Sequence, residues 1–337
     1  MKRAWALPLL PFYASAVAAK NQLYAHHLLP VRKLAQPVIS IGSLSAGGAG
    51  KTPFVLALAQ LLQAHGTSVD VLSRGYGRAS KSVTQVQRVG EARHFGDEPL
   101  ELAREGLQVF VGADRFATGA LAERTLRSEV HLLDDGFQHR RLQRSLDVAL
   151  LTAQDAGDSL LPAGNLRESS KALRRAQVLV VRREEVAALQ PMIARHPQAA
   201  IWVIERSLHL PDPVPLRPIV FCAIARPHSL LTMLRARGVE PAQVILRRDH
   251  HAWNSKDWSA LAQVAREVAA DGFVTTAKDE VKISPAQRER LESIAPLTVA
   301  RLRVSFVDPE SVFSDVTRLL TVHLALQFKT QHEKLGS

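Results

Sequence analysis

The sequence predicts an α/β protein built on a doubly wound, mostly parallel sheet, with a second and smaller α/β lobe. Two observations lead to this prediction. Short apolar runs rich in β-branched residues alternate with stretches of helical periodicity, as expected when helices cover both faces of a parallel sheet. The segment 208–218 contains four prolines, which makes it a natural joint between two lobes. The predicted units are an N-terminal helix, a main domain, a smaller lobe, and a C-terminal helix with a tail, at residues 1–28, 29–210, 211–307 and 308–337.

The apolar runs and helical stretches predict the elements in order. In the main domain, strands are expected at 37–41, 68–72, 108–112, 130–133, 146–152, 176–181 and 200–205. Helices between them are expected at 54–64, 115–127 and 184–195, with a basic helix near 170–175. In the smaller lobe, strands are expected at 219–224, 243–246, 272–276 and 297–304, alternating with helices at 229–236, 258–270 and 286–294. An amphipathic helix at 311–327 completes the predicted fold.

The N-terminal segment carries no charged residue from Ala4 to Ala19. Pro8 and Pro11 interrupt it, and it is shorter than the roughly 20 apolar residues that a membrane-spanning helix needs. We therefore interpret residues 4–28 as a membrane-associating helix that lies in the interface of one leaflet. The basic residues that flank it would face lipid headgroups; they are Lys2, Arg3, Lys20, Arg32 and Lys33. A helix packed on the protein's own core is the alternative.

Residues 42–53, Gly-Ser-Leu-Ser-Ala-Gly-Gly-Ala-Gly-Lys-Thr-Pro, form a glycine-rich loop between a predicted strand and a predicted helix. Glycines let backbone N–H groups converge on phosphate oxygens, and a helix N-terminus favours anions. In such a loop Lys51 neutralises the β- and γ-phosphates, and the Thr52 hydroxyl binds Mg²⁺. The loop predicts a P-loop NTPase-like fold that binds ATP or GTP. The expected nucleotide-binding residues are Gly47, Gly48, Ala49, Gly50, Lys51 and Thr52.

The loop departs from the usual pattern at one position, because Ser45 stands where that pattern has its first glycine. A glycine turn with a purely structural role is the alternative interpretation. The order of strand, glycine loop and helix favours nucleotide binding.

A second motif, Asp-Asp-Gly-Phe-Gln-His at 134–139, follows the predicted strand at 130–133. Open α/β sheets bind ligands at the carboxyl ends of their strands, and P-loop proteins place a carboxylate there that contacts Mg²⁺. Burying two adjacent carboxylates without a cation is costly. We therefore predict that Asp134 and Asp135 hold Mg²⁺ together with Thr52, and which aspartate touches the metal directly stays open. A solvated carboxylate pair in a turn is the alternative.

Composition limits the classes of partner. The chain has a formal net charge of +11 at pH 7, which suits an anionic membrane surface, a phosphorylated substrate or nucleic acid. Because no basic patch with interleaved aromatic residues is present, we do not expect nucleic acid as a partner. The single cysteine, Cys222, excludes an internal disulfide and a multi-thiolate metal site. It lies in an apolar run and is predicted to be buried.

Five further clusters are individually weak, at 73–78, 96–99, 161–168, 249–251 and 275–279. The first could clamp an anionic group between glycine turns. The second offers carboxylates before a helix, and the fourth places histidines beside a carboxylate, where they could tune a general base. An ordinary turn or helix cap is the alternative for each cluster.

In their order and spacing, these motifs resemble one family, the tetraacyldisaccharide 4′-kinases, which are the lipid A 4′-kinases of Gram-negative bacteria. The matching pieces run along most of the chain and read Gly-Gly-Ala-Gly-Lys-Thr-Pro (47–53), Leu-Ser-Arg-Gly-Tyr-Gly-Arg (72–78), Gly-Asp-Glu-Pro (96–99), Asp-Asp-Gly-Phe-Gln-His (134–139), Pro-Ala-Gly-Asn-Leu-Arg-Glu (162–168), Asp-His-His (249–251) and Thr-Thr-Ala-Lys-Asp (275–279). Two departures concern loop detail: Ser43 replaces the usual Asn, and Ser169 replaces a common Pro.

The resemblance implies phosphoryl transfer from ATP, with Mg²⁺, to the 4′-hydroxyl of a tetraacyldisaccharide 1-phosphate in lipid A biosynthesis. It implies that Asp97 accepts the hydroxyl proton, while His250 orients Asp97 or tunes its pKa. That pairing would require the two lobes to close across the cleft. Lys51 and Asp135 complete the expected catalytic set. Plausible contacts to sugar or phosphate are Arg74, Gln138 and Arg167.

A lipid substrate, a basic surface and the N-terminal helix together predict a monomer bound to an anionic membrane surface. The expected place is the cytoplasmic face of the inner membrane, with peripheral or monotopic attachment. A membrane-associated P-loop ATPase switch without lipid kinase activity is the alternative. That class usually has a second lysine just before the paired glycines, where this chain has Ala46. A metallochaperone-like GTPase would carry Asn-Lys-x-Asp, whereas residues 276–279 read Thr-Ala-Lys-Asp.

Overall fold

The strands of the protein belong to one mixed sheet in this computed structural model, which describes residues 3–335. Lys2 and the end of the predicted C-terminal tail, Gly336 and Ser337, lie outside the described residues. In chain order the twelve strands of the described part are β1 Val38–Ser43, β2 Val69–Ser73, β3 Thr84–Gln85, β4 Val109–Val111, β5 Val130–Asp134, β6 Leu146–Leu150, β7 Val178–Arg182, β8 Ala200–His209, β9 Ile219–Cys222, β10 Gln243–Leu246, β11 Phe273–Thr276 and β12 Leu297–Phe306. Their order across the sheet is β10-β9-β11-β12-β8-β7-β6-β1-β5-β2-β4-β3.

Helices connect these strands. They are α1 Leu10–Ala25, α2 Lys51–Ala64, α3 Ala92–Phe95, α4 Asp97–Arg104, α5 Arg115–Thr125, α6 Val186–Ile193, α7 Pro227–Arg235, α8 Ser255–Glu267, α9 Ala277–Glu280, α10 Pro285–Glu292 and α11 Pro309–Leu335. Short 3₁₀ helices occupy Ala4–Leu9, Ala153–Ala156, Ser170–Arg175 and Arg183–Glu185. The predicted α/β class, with a mostly parallel sheet, is confirmed.

Each predicted strand is present, but some helices differ from the prediction. The basic segment at 170–175 is a 3₁₀ helix, and the final helix extends from Pro309 to Leu335. Helix α4 was not predicted, because its eight residues are too few to show a clear period. Its apolar side chains, such as Leu100 and Leu102, are nevertheless buried in the main core.

Strand β1 lies in the middle of the parallel part of the sheet, between β5 and β6. All of its residues are buried. The chain leaves β1 to form β2 on one side, and after β5 it crosses β1 to form β6 on the other side. Open α/β sheets bind ligands where the strand order reverses in this way. The glycine-rich loop that follows β1 therefore lies at such a point.

A long antiparallel ribbon of β8 and β12 joins two groups of parallel strands. The first group consists of β4, β2, β5, β1, β6, β7 and the first half of β8, and the second consists of β10, β9, β11 and the first half of β12. The first half of β8 pairs with β7 as far as Ile204, and its second half pairs with β12. The first half of β12 pairs with β11 as far as Ala300, and its second half pairs with β8. Because the ribbon is antiparallel and its two halves have different partners, the carboxyl ends of the two parallel groups face each other across it.

The predicted lobe boundary falls just after β8. Two hydrophobic clusters are built from residues within 208–300, which would suit a separate core for a smaller lobe. The sheet nevertheless continues across the boundary through the ribbon. The division into 29–210 and 211–307 therefore stays a prediction, and residues 211–307 are called the C-terminal segment below.

The N-terminal segment is a 3₁₀ helix that continues into α1. Trp5 and Phe12 are 76% and 75% exposed. Polar contacts attach the segment to the domain: the Tyr13 hydroxyl donates to the carbonyl of Arg167 at 3.0 Å, and the Asn21 amide donates to Glu168 at 2.8 Å. None of the helices within residues 3–335 has the length and apolar character needed to cross a bilayer.

Candidate active site

A cavity of about 710 Å³ occupies the cleft between the two parallel groups of strands. Its floor is the ribbon, which contributes Arg206 and Leu208 from β8 and Leu302 from β12. One wall consists of the glycine loop and the residues that end β2 and β5. The opposite wall consists of loops that follow β9, β10 and β11 in the C-terminal segment. The fold thus brings most of the predicted motifs into one cleft.

The glycine loop has the backbone of a phosphate-binding loop. Gly47, Gly48 and Gly50 have φ angles of 83°, 72° and 84°, in the left-handed region that glycine adopts readily. Helix α2 begins directly after them at Lys51. Residues 46–53 line the cavity, so the free amides at the start of α2 are placed where an anion is favoured.

Ser45, where the loop departs from the usual pattern, takes part in backbone pairing. Ser45 is buried and forms a β-bridge with Leu166. The amide of Ala46 donates to the carbonyl of Asn165 at 2.8 Å, and that of Arg167 donates to Leu44 at 2.7 Å. The segment 162–168 therefore supports the start of the glycine loop by backbone pairing.

Lys51, Asp135 and Arg167 form an ion-pair cluster beside the loop. Lys51 Nζ lies 3.2 Å from Asp135 Oδ1, and Arg167 Nη1 donates to both oxygens of Asp135 at 2.8 Å. Burial alone would raise the pKa of Asp135, but the charges of Lys51 and Arg167 outweigh it and hold that pKa below its ordinary value. Asp135 is therefore ionised at neutral pH.

Asp134 has a different environment. It is buried at the end of β5, its Oδ1 has no hydrogen-bond partner within residues 3–335, and its Oδ2 meets only the Ser73 hydroxyl at 3.5 Å. Burial, together with the carboxylates of Glu98 and Asp135, raises the pKa of Asp134 to about 7. A buried carboxylate oxygen without a partner is the environment that a hard cation stabilises.

These donors fit Mg²⁺. Thr52, Asp134 and Asp135 all line the cavity beside the glycine loop, and Mg²⁺ commonly binds one or two carboxylates together with substrate phosphates. The predicted metal-binding residues therefore lie together. Their role stays a proposal.

Asp97 and His250 are in contact across the cleft. His250 Nδ1 lies 3.2 Å from Asp97 Oδ2, and Lys282 Nζ lies 3.2 Å from the same oxygen. Burial would raise the pKa of Asp97, but the hydrogen bond from His250 and the charge of Lys282 hold it below its ordinary value. His250 lines the cavity, and the Asp97 side chain remains 15% exposed. The pairing requires the two walls of the cleft to lie close together, and in this structure they do.

Lys278 contacts the second ring nitrogen of His250. Its Nζ lies 3.1 Å from His250 Nε2, and it also contacts Asp249 at 3.0 Å and Glu98 at 3.5 Å. The ammonium can only donate, so Nε2 accepts, and Nδ1 carries the proton that is donated to Asp97. Burial would lower the pKa of Lys278, but these carboxylates raise it above its ordinary value.

Sequence reasoning named no role for several residues of this site. Glu98 and Lys278 belong to the clusters at 96–99 and 275–279, so the sequence did indicate that they lie near the site. Glu101 also lines the cavity, and burial together with Glu98 raises its pKa to about 8. Arg226 lines the cavity beside the glycine loop, but no motif pointed to it.

The residues predicted to contact substrate lie in different environments. Arg74 is exposed and lines the cavity, and Arg167 lines it while holding Asp135. Gln138 is not among the cavity-lining residues of the described chain. Its amide donates to the Ser43 carbonyl at 3.0 Å, and its Oε1 accepts from Arg167 at 3.3 Å. Gln138 thus connects the end of β1 to Arg167.

Comparisons with known proteins agree with this geometry. The family described as tetraacyldisaccharide-1-P 4′-kinase matches residues 3–321. A tetraacyldisaccharide 4′-kinase of Koribacter versatilis is 38% identical, and the match covers 93% of this chain and 98% of that relative. One from Geobacter metallireducens is 35% identical over 91% of this chain and 95% of the relative.

A solved structure is similar over nearly the whole chain. It is LpxK from Aquifex aeolicus in complex with ATP. The match has a TM-score of 0.77 and 30% sequence identity, and it covers 94% of this chain and 99% of that chain. The similarity therefore includes both parallel groups of strands and the cleft between them.

Proposed function

The chain belongs to the tetraacyldisaccharide-1-P 4′-kinase family, and we propose that it transfers the γ-phosphoryl group of ATP to the 4′-hydroxyl of a tetraacyldisaccharide 1-phosphate in lipid A biosynthesis. One observation supports the chemistry most directly. A single cavity is lined by a phosphate-binding loop, by a buried carboxylate suited to Mg²⁺, and by His250. His250 contacts the ionised carboxylate of Asp97, which lies just behind the described residues that line the cavity. A phosphotransferase with an alcohol acceptor needs all three.

The glycine loop and Lys51 would hold the phosphates of ATP. Mg²⁺ held by Thr52 with Asp134 or Asp135 would neutralise charge on those phosphates. The contact between Lys51 and Asp135 keeps the ammonium at the mouth of the loop, where it can turn to the β- and γ-phosphates. Such transfer depends on positioning and charge neutralisation more than on covalent chemistry.

Asp97 would accept the proton of the attacking hydroxyl. Its low pKa keeps it ionised. Its contacts with His250 Nδ1 and Lys282 Nζ are both made through Oδ2. His250 is held between Asp97 and Lys278, so it fixes the direction of the carboxylate. We propose that Arg74 and Arg167 contact the sugar or phosphate, while Gln138 positions Arg167 through their hydrogen bond.

We also propose that the N-terminal segment rests in a membrane surface. Its exposed aromatic residues, Trp5 and Phe12, would enter the interface. The net charge of +11 favours anionic lipid. A monomer at the cytoplasmic face of the inner membrane, with peripheral or monotopic attachment, would meet ATP and a lipid substrate in the same place.

ATP consumption with and without lipid distinguishes this function from a P-loop ATPase switch. A kinase consumes ATP only when tetraacyldisaccharide 1-phosphate is supplied in detergent micelles, and Lys51→Ala abolishes that consumption. Equal ATP hydrolysis with and without the lipid would support the switch instead and would refute the kinase.

A further inference from the structure

Arg226 lies directly on the phosphate loop, although it comes from the C-terminal segment. It follows β9 and immediately precedes α7. A Cβ atom placed on Gly48 would lie 2.5 Å from Arg226 Nε and 3.2 Å from its Cδ. Any side chain at position 48 would therefore displace this arginine. Arg226 is half-buried and lines the cavity beside Gly47 and Gly48.

The guanidinium of Arg226 forms no salt bridge in the described part of the chain. Two neighbouring arginines are paired: Arg182 with Glu185 at 3.1 Å, and Arg206 with Glu184 at 3.2 Å. For Arg226, no carboxylate within residues 3–335 comes within salt-bridge distance, and Asp155 and Glu185 influence it only through longer-range charge. A half-buried arginine that faces an anion-binding loop without a counter-ion is suited to an anionic ligand.

The loop itself provides few cations for a triphosphate. Lys51 is the one charged residue in the segment 42–53. Arg167, a second nearby cation, donates to both oxygens of Asp135, while Arg74 on the same wall of the cavity is exposed. Phosphoryl transfer gains much from one further positive charge near the transferring group, often an arginine supplied from another element.

We propose that Arg226 contacts the β- and γ-phosphates of ATP from the C-terminal segment and serves as the second cation of the phosphate loop. The inference rests on the proposed function for the identity of the phosphate donor. No bond to Arg226 forms or breaks; its guanidinium stabilises charge on the phosphates. Arg226 and His250 belong to the same segment, and in this structure that segment places the arginine on the loop and the imidazole against Asp97.

Three variants test the proposal. Arg226→Ala removes the charge, Arg226→Lys keeps the charge but not the planar fork, and Arg237→Ala removes an exposed arginine just beyond the end of α7 as a matched control. For each, the dissociation constants of ATP and AMP are measured by equilibrium binding, and kcat is measured with the lipid acceptor. Urea unfolding verifies that each variant is folded.

Arg226→Ala is expected to weaken ATP binding about tenfold, to leave AMP binding unchanged, and to lower kcat by about 10³. Arg226→Lys should recover part of both losses, and Arg237→Ala should match the wild type. Wild-type ATP affinity and kcat in folded Arg226→Ala would overturn the proposal, as would equal losses for ATP and AMP. Since nucleotide binding needs no lipid, a wild-type chain that phosphorylates no lipid would refute the proposed function without deciding this inference.

Discussion

His250 Nδ1 lies 3.2 Å from Asp97 Oδ2, although the two residues are 153 positions apart in the sequence. Asp97 begins α4, and His250 lies in the loop after β10, with a φ angle of 61°. The pair is one of the contacts between the C-terminal segment and the opposite wall of the cleft. We therefore propose that proton acceptance by Asp97 depends on this contact between the two sides of the cleft.

Asp97→Asn should lower kcat by about 10²–10⁴, because the amide keeps the shape of the side chain but cannot accept the proton. ATP affinity should stay near that of the wild type, since Asp97 does not contact the phosphate loop. His250→Gln should give a smaller loss, because it removes orientation and not the acceptor. Steady-state kinetics and nucleotide binding measure both effects, with exposed His209→Gln as the control. Full turnover by Asp97→Asn would contradict the assignment.

Binding of Mg²⁺ with a non-hydrolysable ATP analogue should depend on pH through Asp134. Its pKa is raised to about 7, so the carboxyl group is largely protonated at about pH 6 and must lose its proton to bind the metal. Apparent affinity should rise several-fold from about pH 6 to about pH 8 and change little above that. Calorimetry in two buffers should detect proton release, and Asp134→Asn should reduce it to the part that the phosphates of the analogue contribute. A pH-independent affinity would exclude Asp134 as a ligand.

The buried pair of His131 and Asp70 should make stability depend on pH. His131 Nδ1 lies 2.8 Å from Asp70 Oδ1, and both side chains are fully buried. Burial would lower the pKa of His131, but Asp70, with help from Glu123, raises it above the ordinary value. A group whose pKa is raised in the folded state makes its full contribution to the free energy of unfolding at pH values below its unfolded pKa, here about 6.5. This contribution is lost as the pH rises through the folded pKa.

The free energy of unfolding in urea should therefore fall as the pH rises above about 6.5. His131→Asn, which has no titrating imidazole, should be less stable at low pH and should lose this part of the slope. The same slope in the variant and the wild type would show that another group is responsible.

Membrane binding should depend on the exposed aromatic residues of the N-terminal segment. The double substitution Trp5→Ser with Phe12→Ser removes two large side chains, each worth about 2 kcal/mol when buried. Partitioning onto vesicles of anionic phospholipid should fall at least about tenfold. Sedimentation with vesicles measures it, and Val89→Ser, which alters a 93% exposed apolar residue elsewhere, is the control. Unchanged binding of the double variant would refute the interfacial role.

Local patterns in the sequence were sufficient to predict part of this site. The β-branched run of β1, the glycines at positive φ and the start of α2 are adjacent in the chain, so the phosphate loop could be predicted from them. Asp134 could be predicted because it ends a buried apolar strand, where open α/β sheets bind their ligands. Asp97 and His250 were paired through family resemblance only, because nothing local indicates that they meet.

Long-range pairing explains what could not be predicted. Strands β8 and β12 pair although about ninety residues separate them, and neither strand's sequence specifies its partner. The cleft between two facing sheet edges follows from that pairing. The positions of Arg226 on Gly48 and of His250 on Asp97 depend on it in turn.

Transfer of phosphate from γ-labelled ATP to tetraacyldisaccharide 1-phosphate, in detergent micelles, tests the central claim most directly. The account predicts label on the lipid at the 4′-position, with dependence on Mg²⁺ and loss of the product in Lys51→Ala. Release of labelled inorganic phosphate with no labelled lipid would contradict it.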